Sequence, residues 1–201
     1  MDEFGEGPPV FEHVTLLLSF VYAVALTHLL STATELLIAR RRVRPSGLYA
    51  AWLLIALLLL LVNWMAFWGL VALKRWTVPE VIIQFSLAIA QYFTCSAFRI
   101  AEAHGDEAID LSAIYQERRT LIAGAFLALG FLASFENWWD RNNILGFKAA
   151  DWIGEDLAIA PMVVGVMIAG WARPLWLQWA AAALMFGSEL YFLATYAIPA
   201  T

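Results

Sequence analysis

The stretch "LLIALLLLLV", residues 53–62, consists of ten consecutive apolar residues with no polar residue among them. A membrane β-barrel strand alternates polar and apolar side chains, so this stretch does not fit a barrel. It predicts a helix that is apolar on every side, which is stable only in a large core or in a bilayer. The apolar run continues outward to residues 48–73. It is therefore longer than the roughly 20 residues that cross the hydrocarbon core.

The composition of the whole chain agrees with a membrane location. Of its 201 residues, 62% are hydrophobic and 14% are charged, whereas soluble domains average about 45–50% and 25%. Six apolar stretches predict an all-α polytopic protein, with six transmembrane helices in one bundle and residues 1–201 as a single domain. The predicted spans are residues 14–39, 48–73, 81–101, 120–139, 153–172 and 175–197.

The arginines predict the orientation of these helices, because cytoplasmic loops collect Lys and Arg. The first connection contains "RRRVR", and alternating the six spans puts eight of the twelve basic residues on its side: Arg40, Arg41, Arg42, Arg44, Arg99, Arg118, Arg119 and Arg173. We therefore expect both termini to be extracytoplasmic and the membrane to be a bacterial inner membrane. The net charge of −5 argues against a nucleic-acid partner.

Polar residues recur at helical spacing in the first predicted span. His28, Ser31, Thr32 and Glu35 follow the 3, 4 and 7 spacing of one helical face, from mid-span toward the arginine-rich side. Ionisable residues within a span are costly and are candidates for function. Each also has a structural alternative: His28 can bridge helices through a hydrogen bond, and Glu35 can form an ion pair that only holds helices together.

The third predicted span carries a second polar face, made of Gln84, Gln91, Cys95 and Arg99. The first and third spans run in the same direction, so residues equally far along them lie at equal depth. We therefore expect the two faces to meet, with Glu35 paired to Arg99. We also expect His28 in a hydrogen-bonded layer with Gln91, to which Asn63 of the second span can contribute.

Acidic residues predict a second polar layer near the other side of the membrane. Glu189 lies inside the sixth span, and Glu136, Glu155 and Asp156 lie near the ends of the fourth and fifth spans. Several acids around one vestibule would attract cations. The alternative for Glu136, Glu155 and Asp156 is that they are solvated loop charges, but no loop is close to Glu189.

Two further patterns concern packing and connections. Small residues four apart, such as Gly124 with Ala128 and Ala183 with Gly187, allow close helix approach either within the bundle or between copies in a homo-oligomer. The connection "HGDEAIDLSAIYQERR" before the fourth span predicts a short amphipathic helix of its own.

The sequence contains no recognisable catalytic motif, and we predict no cofactor and no enzymatic activity. Three dispersed histidines and the single Cys95 do not suit a metal centre. His28 is a weak metal candidate, and one axial ligand per chain leaves haem as an open alternative. The leading functional hypothesis is a small protein for permeation or binding of an ion or small polar solute. The alternatives are an accessory subunit of a larger membrane complex and, third, a haem- or metal-binding protein that uses His28.

Overall fold

The computed structural model describes residues 8–67, 76–100, 108–140 and 152–195, with side chains described for 12–67, 76–100, 108–139 and 160–194. Six helices occupy these residues: α1 (Pro8–Ile38), α2 (Gly47–Ala66), α3 (Val78–Ser96), α4 (Leu111–Asp140), α5 (Trp152–Trp171) and α6 (Leu175–Thr195). The predicted all-helical fold is confirmed. The described part adds only two short strands, β1 (Val43–Arg44) and β2 (Ile109–Asp110).

Four of the described helices are long and apolar enough to cross a membrane, namely those within residues 12–38, 47–66, 78–96 and 111–139. These four helices indicate an integral membrane protein. The described apolar part of α5 is shorter, Ala160–Trp171. Helix α6 is not among these four, and its sequence contains the polar residues Gln178 and Glu189.

The helices form a closed arrangement in the order α1, α3, α4, α5, α6 and α2, and α2 also contacts α3 and α4. Helix α1 packs much more extensively on α3 than on α2, which follows it in the chain. The expectation that the first and third helices are neighbours is therefore correct. The short connection between α5 and α6 places these consecutive helices side by side, and α4 also packs on α5.

The predicted group of eight arginines lies at one end of the bundle, called here the arginine end. Strand β1 follows α1 and pairs in parallel with β2, which precedes α4, so Val43 lies opposite Ile109 and Arg44 opposite Asp110. The side chain of Arg118 donates to the carbonyl of Arg99, and Arg119 donates to that of Ala172 at 2.6 Å. Through these contacts, β2 and α4 hold the chain segments that follow α1, α3 and α5.

The predicted short helix before the fourth span is wrong. Ile109 and Asp110 form β2, and α4 begins directly at Leu111. The carboxylate of Asp110 accepts hydrogen bonds from the N–H groups of Ser112 at 2.9 Å and Ala113 at 3.1 Å. An aspartate in this position satisfies the free N–H groups of the first helical turn, so α4 extends nine residues ahead of the predicted span.

Large aromatic side chains fill the core near the arginine end. Trp52 of α2 is buried and meets Phe126 of α4 edge to face, with ring centroids 5.3 Å apart. Tyr49 is buried one turn away, and its hydroxyl donates to the carbonyl of Phe98 at 2.6 Å. That carbonyl lies just past the end of α3, where it has no helical partner, so Tyr49 satisfies it.

Candidate functional site

The polar face of α3 points into the bundle. Gln84, Gln91 and Cys95 are all buried, together with Ala88 of the same face. The helix begins at a capping box, in which the N–H of Thr77 donates to the carboxylate of Glu80. Since this arrangement fixes the first turn, the 3 and 4 spacing that follows carries the three polar side chains toward α1, α2 and α4.

Gln91 is the centre of a hydrogen-bonded layer between α2 and α3. The Nδ2 of Asn63 donates to Oε1 of Gln91 at 2.7 Å, and Nε2 of Gln91 contacts Sγ of Cys95 at 3.5 Å. This part of the predicted layer is present. His28 does not join it: its half-buried ring meets that of Tyr92 edge to face, with centroids 5.3 Å apart.

The carboxylate of Glu136, one of the acids predicted near a vestibule, accepts a hydrogen bond from Gln84 across the α3–α4 interface. Gln84 is buried and Glu136 is half-buried. A buried amide and a carboxylate that satisfy each other stabilise the packing of the two helices. The side chains of Glu155 and Asp156 lie outside the described residues, so the predicted group of acids is represented by Glu136 and Glu189.

The predicted polar face of α1 is divided between two sides of the helix. Thr32 is buried and donates to the carbonyl of His28 at 2.9 Å. Ser31 is exposed and Glu35 is half-buried. Both line an open depression of about 390 Å³ on the outside of α1. The buried face of α1 is centred on residues such as Leu29 and Thr32, so Ser31 points away from the core and Glu35 lies at the edge of the buried face.

The predicted ion pair between Glu35 and Arg99 is wrong. Helix α3 ends at Ser96, and Arg99 follows in an irregular turn with an exposed side chain. The carbonyl of Arg99 accepts from Arg118 instead. Within the described residues, the one recorded ion pair joins Arg44 to Asp110 at 3.9 Å, and both of these side chains are largely exposed.

Glu189 has the most unusual surroundings of the predicted residues. Its side chain has 0% exposure, and among the described residues neither carboxylate oxygen has a hydrogen-bond partner. It lies on the buried face of α6, one turn beyond Met185, and α6 packs on α2 and α5. One turn further on, a narrow crevice between α2 and α6 is lined by the apolar residues Val62, Met65, Phe192 and Leu193.

The close approach of α5 and α6 beside this position depends on Gly165. A methyl group at Gly165 would lie 3.3 Å from the carbonyl oxygen of Ala181 and 3.4 Å from Cγ of Met185. Because Gly165 lacks that methyl group, the two helices exclude solvent at the turn before Glu189. Among the described residues, the crevice one turn beyond Glu189 is lined by apolar side chains, and no ion pair forms with the carboxylate.

Gln178 is a buried polar residue that the sequence analysis missed. It is fully buried near the start of α6. Its Oε1 accepts from Nε2 of Gln116 at 2.9 Å, and its own Nε2 donates to the carbonyl of Ala172 at 3.0 Å. Arg119 donates to the same carbonyl, so the connection between α5 and α6 is fixed by side chains of α4 and α6. The signal in the sequence is the single amide in "LWLQWAAAA".

No group of three or more His, Cys, Asp or Glu side chains that could hold a metal ion occurs within the described ranges. His28, the weak metal candidate, contacts an aromatic ring instead of another ligand. The chain matches no family model, no curated protein and no solved structure. Among the described side chains, Glu189 therefore gives the clearest indication of function.

Proposed function

We propose that this chain is a non-enzymatic integral membrane protein that binds a small cation, a proton included, at Glu189 and lets it cross the bilayer. The observation that carries the proposal is a carboxylate with 0% exposure whose two oxygens have no hydrogen-bond partner within the described part of the chain. An ionised carboxylate without a partner costs several kcal/mol in a protein interior. A proton or a metal cation bound at Glu189 removes that cost.

We propose the following topology for this activity: six spans, both termini extracytoplasmic, and the arginine end in the cytoplasm of a bacterial cell. The support is the group of arginines at one end of the bundle and the four helices that can cross a membrane. In this orientation Glu189 lies 14 residues into α6 from Leu175, or roughly 21 Å along the helix at 1.5 Å per residue. Glu189 then lies in the outer half of the bilayer.

The polar groups of α3 have a different role in this proposal. Gln84 is bonded to Glu136 and Gln91 to Asn63, so these amides hold helices together and do not need a ligand. Ser31 and Glu35 line the outside of α1, which removes them from an internal route. The candidate path therefore follows the contacts of α6 with α2 and α5, and it no longer includes the polar face of α1.

The test is cation flux into vesicles that contain the purified protein. Vesicles with an internal pH dye report proton entry under an imposed membrane potential, and parallel experiments use Na⁺ and K⁺. We expect flux above that of empty vesicles. Glu189→Gln should abolish it, because an amide of similar shape neither titrates nor carries charge. The matched control is Glu117→Gln, which changes an exposed acid on α4 and should leave flux intact.

A second measurement reports on Glu189 directly. Dicyclohexylcarbodiimide is an apolar reagent that reacts with protonated carboxyl groups in membrane interiors. We expect an adduct on the peptide that contains Glu189, no such adduct in Glu189→Gln, and protection by whichever cation the protein carries. Folded wild-type protein with no flux, or flux that survives Glu189→Gln, would overturn the proposal.

The second candidate function is an accessory subunit of a larger membrane complex. It is favoured by one observation, the exposed hydroxyl groups and the carboxylate on the outside of α1. If the activity requires a second protein, the purified chain alone will show no cation flux.

A further inference from the structure

We propose that the outside of α1, in the half nearest the arginine end, binds a transmembrane helix of a different membrane protein. That helix would present a cationic side chain at the depth of Glu35. This inference is independent of cation transport through Glu189, because the two sites lie on different helices and one faces inward while the other faces outward.

The first observation is the polarity of this surface. Thr27, Ser31 and Thr34 are exposed, and together with Leu30 and Glu35 they line the open depression of about 390 Å³. The hydroxyl of Thr27 donates to the carbonyl of Ala23 at 2.8 Å. The side chains of Ser31, Thr34 and Glu35 have no recorded partner within the described part of the chain.

The second observation is depth. Ser31 lies 7 residues and Thr27 lies 11 residues before the end of α1 at Ile38. These separations correspond to roughly 10 Å and 16 Å along the helix. Both positions are inside the segment that can cross the membrane, where lipid chains offer no hydrogen-bond partners. A polar surface at this depth is typical of a face that another protein covers.

The other helices provide an internal comparison. Most of their outward positions carry apolar side chains that lipid can cover without cost, such as Ile89 of α3 and Leu190 of α6. Ser86 of α3 and Ser188 of α6 also place hydroxyl groups on exposed sides, but each donates to the carbonyl four residues before it. Among the described residues, Ser31 and Thr34 of α1 differ because their hydroxyl groups are exposed without such a bond, beside the exposed apolar Leu30.

Because this surface lies in the part of α1 that can cross the membrane, a partner segment that covers it is itself a transmembrane helix. Val24, Thr27, Ser31, Thr34 and Ile38 are all exposed and are separated by 3 or 4 residues. This is the seam along which a second helix packs at a shallow crossing angle. The small hydroxyl side chains in its centre allow close approach of the two backbones, and Glu35 borders the seam.

The charge on Glu35 argues that the occupant is not a second copy of this chain. In a symmetric parallel pair, the two Glu35 side chains lie at equal depth and repel each other. The nearest exposed cations along the chain are Arg40 and Arg41, which follow the end of α1 at Ile38 and therefore lie closer to the arginine end than Glu35 does. A helix of another protein with Lys or Arg at the depth of Glu35 supplies the missing charge.

The test uses a photoreactive benzophenone amino acid in place of Ser31, in the full chain and in its native membranes. The matched control carries it in place of Ala183, an exposed residue on α6 at nearly the same distance from the arginine end, 8 residues after Leu175. We expect a single protein adduct from position 31 and only lipid adducts from position 183. Mass spectrometry should identify a transmembrane peptide that contains Lys or Arg.

Charge reversal then tests the pairing itself. Glu35→Lys should abolish the adduct, and exchanging the captured cation for Glu should restore it. The inference is overturned by position 31 yielding only lipid adducts, by adducts between two copies of this chain, or by an adduct that persists in Glu35→Lys. Flux through the purified protein does not bear on these outcomes, so failure of this inference and failure of the cation proposal are distinguishable.

Discussion

Asn63 of α2 donates a 2.7 Å hydrogen bond to Gln91 of α3, whose side chain has 0% exposure. Removing Asn63 alone leaves a buried amide oxygen without its partner. We expect Asn63→Leu to destabilise the protein by about 0.6–2 kcal/mol, the range of interhelical hydrogen bonds in membranes and of unpaired buried groups. Reversible unfolding in mixed detergent micelles measures this loss.

The double change provides the control for that prediction. Asn63→Leu together with Gln91→Leu removes both polar groups, so it should cost less than the sum of the single changes. If the losses are additive, the two side chains contribute independently, and the 2.7 Å contact does not stabilise the α2–α3 interface.

Gly170 and Gly124 are a matched pair of helical glycines with opposite surroundings. A methyl group at Gly170 would lie 2.7 Å from Cβ of Ala123 on α4, whereas nothing lies within 4 Å of one at Gly124. Gly170→Ala should destabilise the protein by about 1–3 kcal/mol, as overpacking does. Gly124→Ala should be neutral or slightly stabilising, because alanine favours a helix by about 1 kcal/mol over glycine.

Thermal unfolding of the two glycine variants in one detergent checks this prediction. Equal loss of stability in Gly170→Ala and Gly124→Ala would mean that the close approach of α4 and α5 at Gly170 does not limit packing. Gly124 is exposed, so of the two alternatives for its small-residue spacing the structure does not support packing within the bundle.

Arg119 and Arg99 are neighbours at the arginine end with different roles. Arg119 donates to the carbonyl of Ala172 at 2.6 Å, where α5 has ended. Arg119→Ala should cost about 1.5–3 kcal/mol, the range for hydrogen bonds that involve a charged group. The side chain of Arg99 is exposed, so Arg99→Ala should stay within about 0.5 kcal/mol of wild type.

A double-mutant cycle with Glu35→Gln extends that comparison. Arg99→Ala and Glu35→Gln should add without coupling, since no ion pair joins the two side chains within the described residues. A coupling energy of about 1 kcal/mol or more would instead support the ion pair between Glu35 and Arg99 that the sequence predicted.

The different outcomes for α1 and α3 show which features the sequence could predict. The polar face of α3 was predictable because helical spacing alone brings Gln84, Gln91 and Cys95 to one side. The end of α3 was not predictable, because its free carbonyls are satisfied by residues far away in the chain. Tyr49 donates to the carbonyl of Phe98 and Arg118 to that of Arg99.

Helix α1 was only partly predictable for a related reason. Residues separated by 3, 4 and 7 positions share a broad side of a helix, but which part of that side is buried depends on the neighbouring helix. Leu29 and Thr32 face the core, and Ser31 and Glu35 do not. Glu189 was recognised as unusual from its distance to any loop, whereas its lack of a hydrogen-bond partner required the structure.

The buried single cysteine makes the proposed topology directly measurable. Cys95 is buried, so an impermeant maleimide should label wild-type cells weakly. Ser112→Cys adds an exposed thiol at the arginine end, and a reporter fused after Thr201 marks the other side. We expect Ser112→Cys to be labelled only after the inner membrane is opened, and the reporter to be active outside the cytoplasm. A C-terminus inside the cell would contradict the proposed orientation.

A substitution of His28 distinguishes a structural role of this side chain from a chemical one. Its ring meets that of Tyr92 edge to face, a contact worth about 0.5–1.5 kcal/mol between aromatic rings. We expect His28→Gln to lose no more than that stability and to keep any cation flux, because the proposed binding group is Glu189. Flux that depends on pH in the wild type and disappears in a folded His28→Gln protein would instead assign His28 a proton-transfer role.

An optical spectrum of the purified protein tests the third hypothesis: a Soret band lost in His28→Gln would identify His28 as a haem ligand.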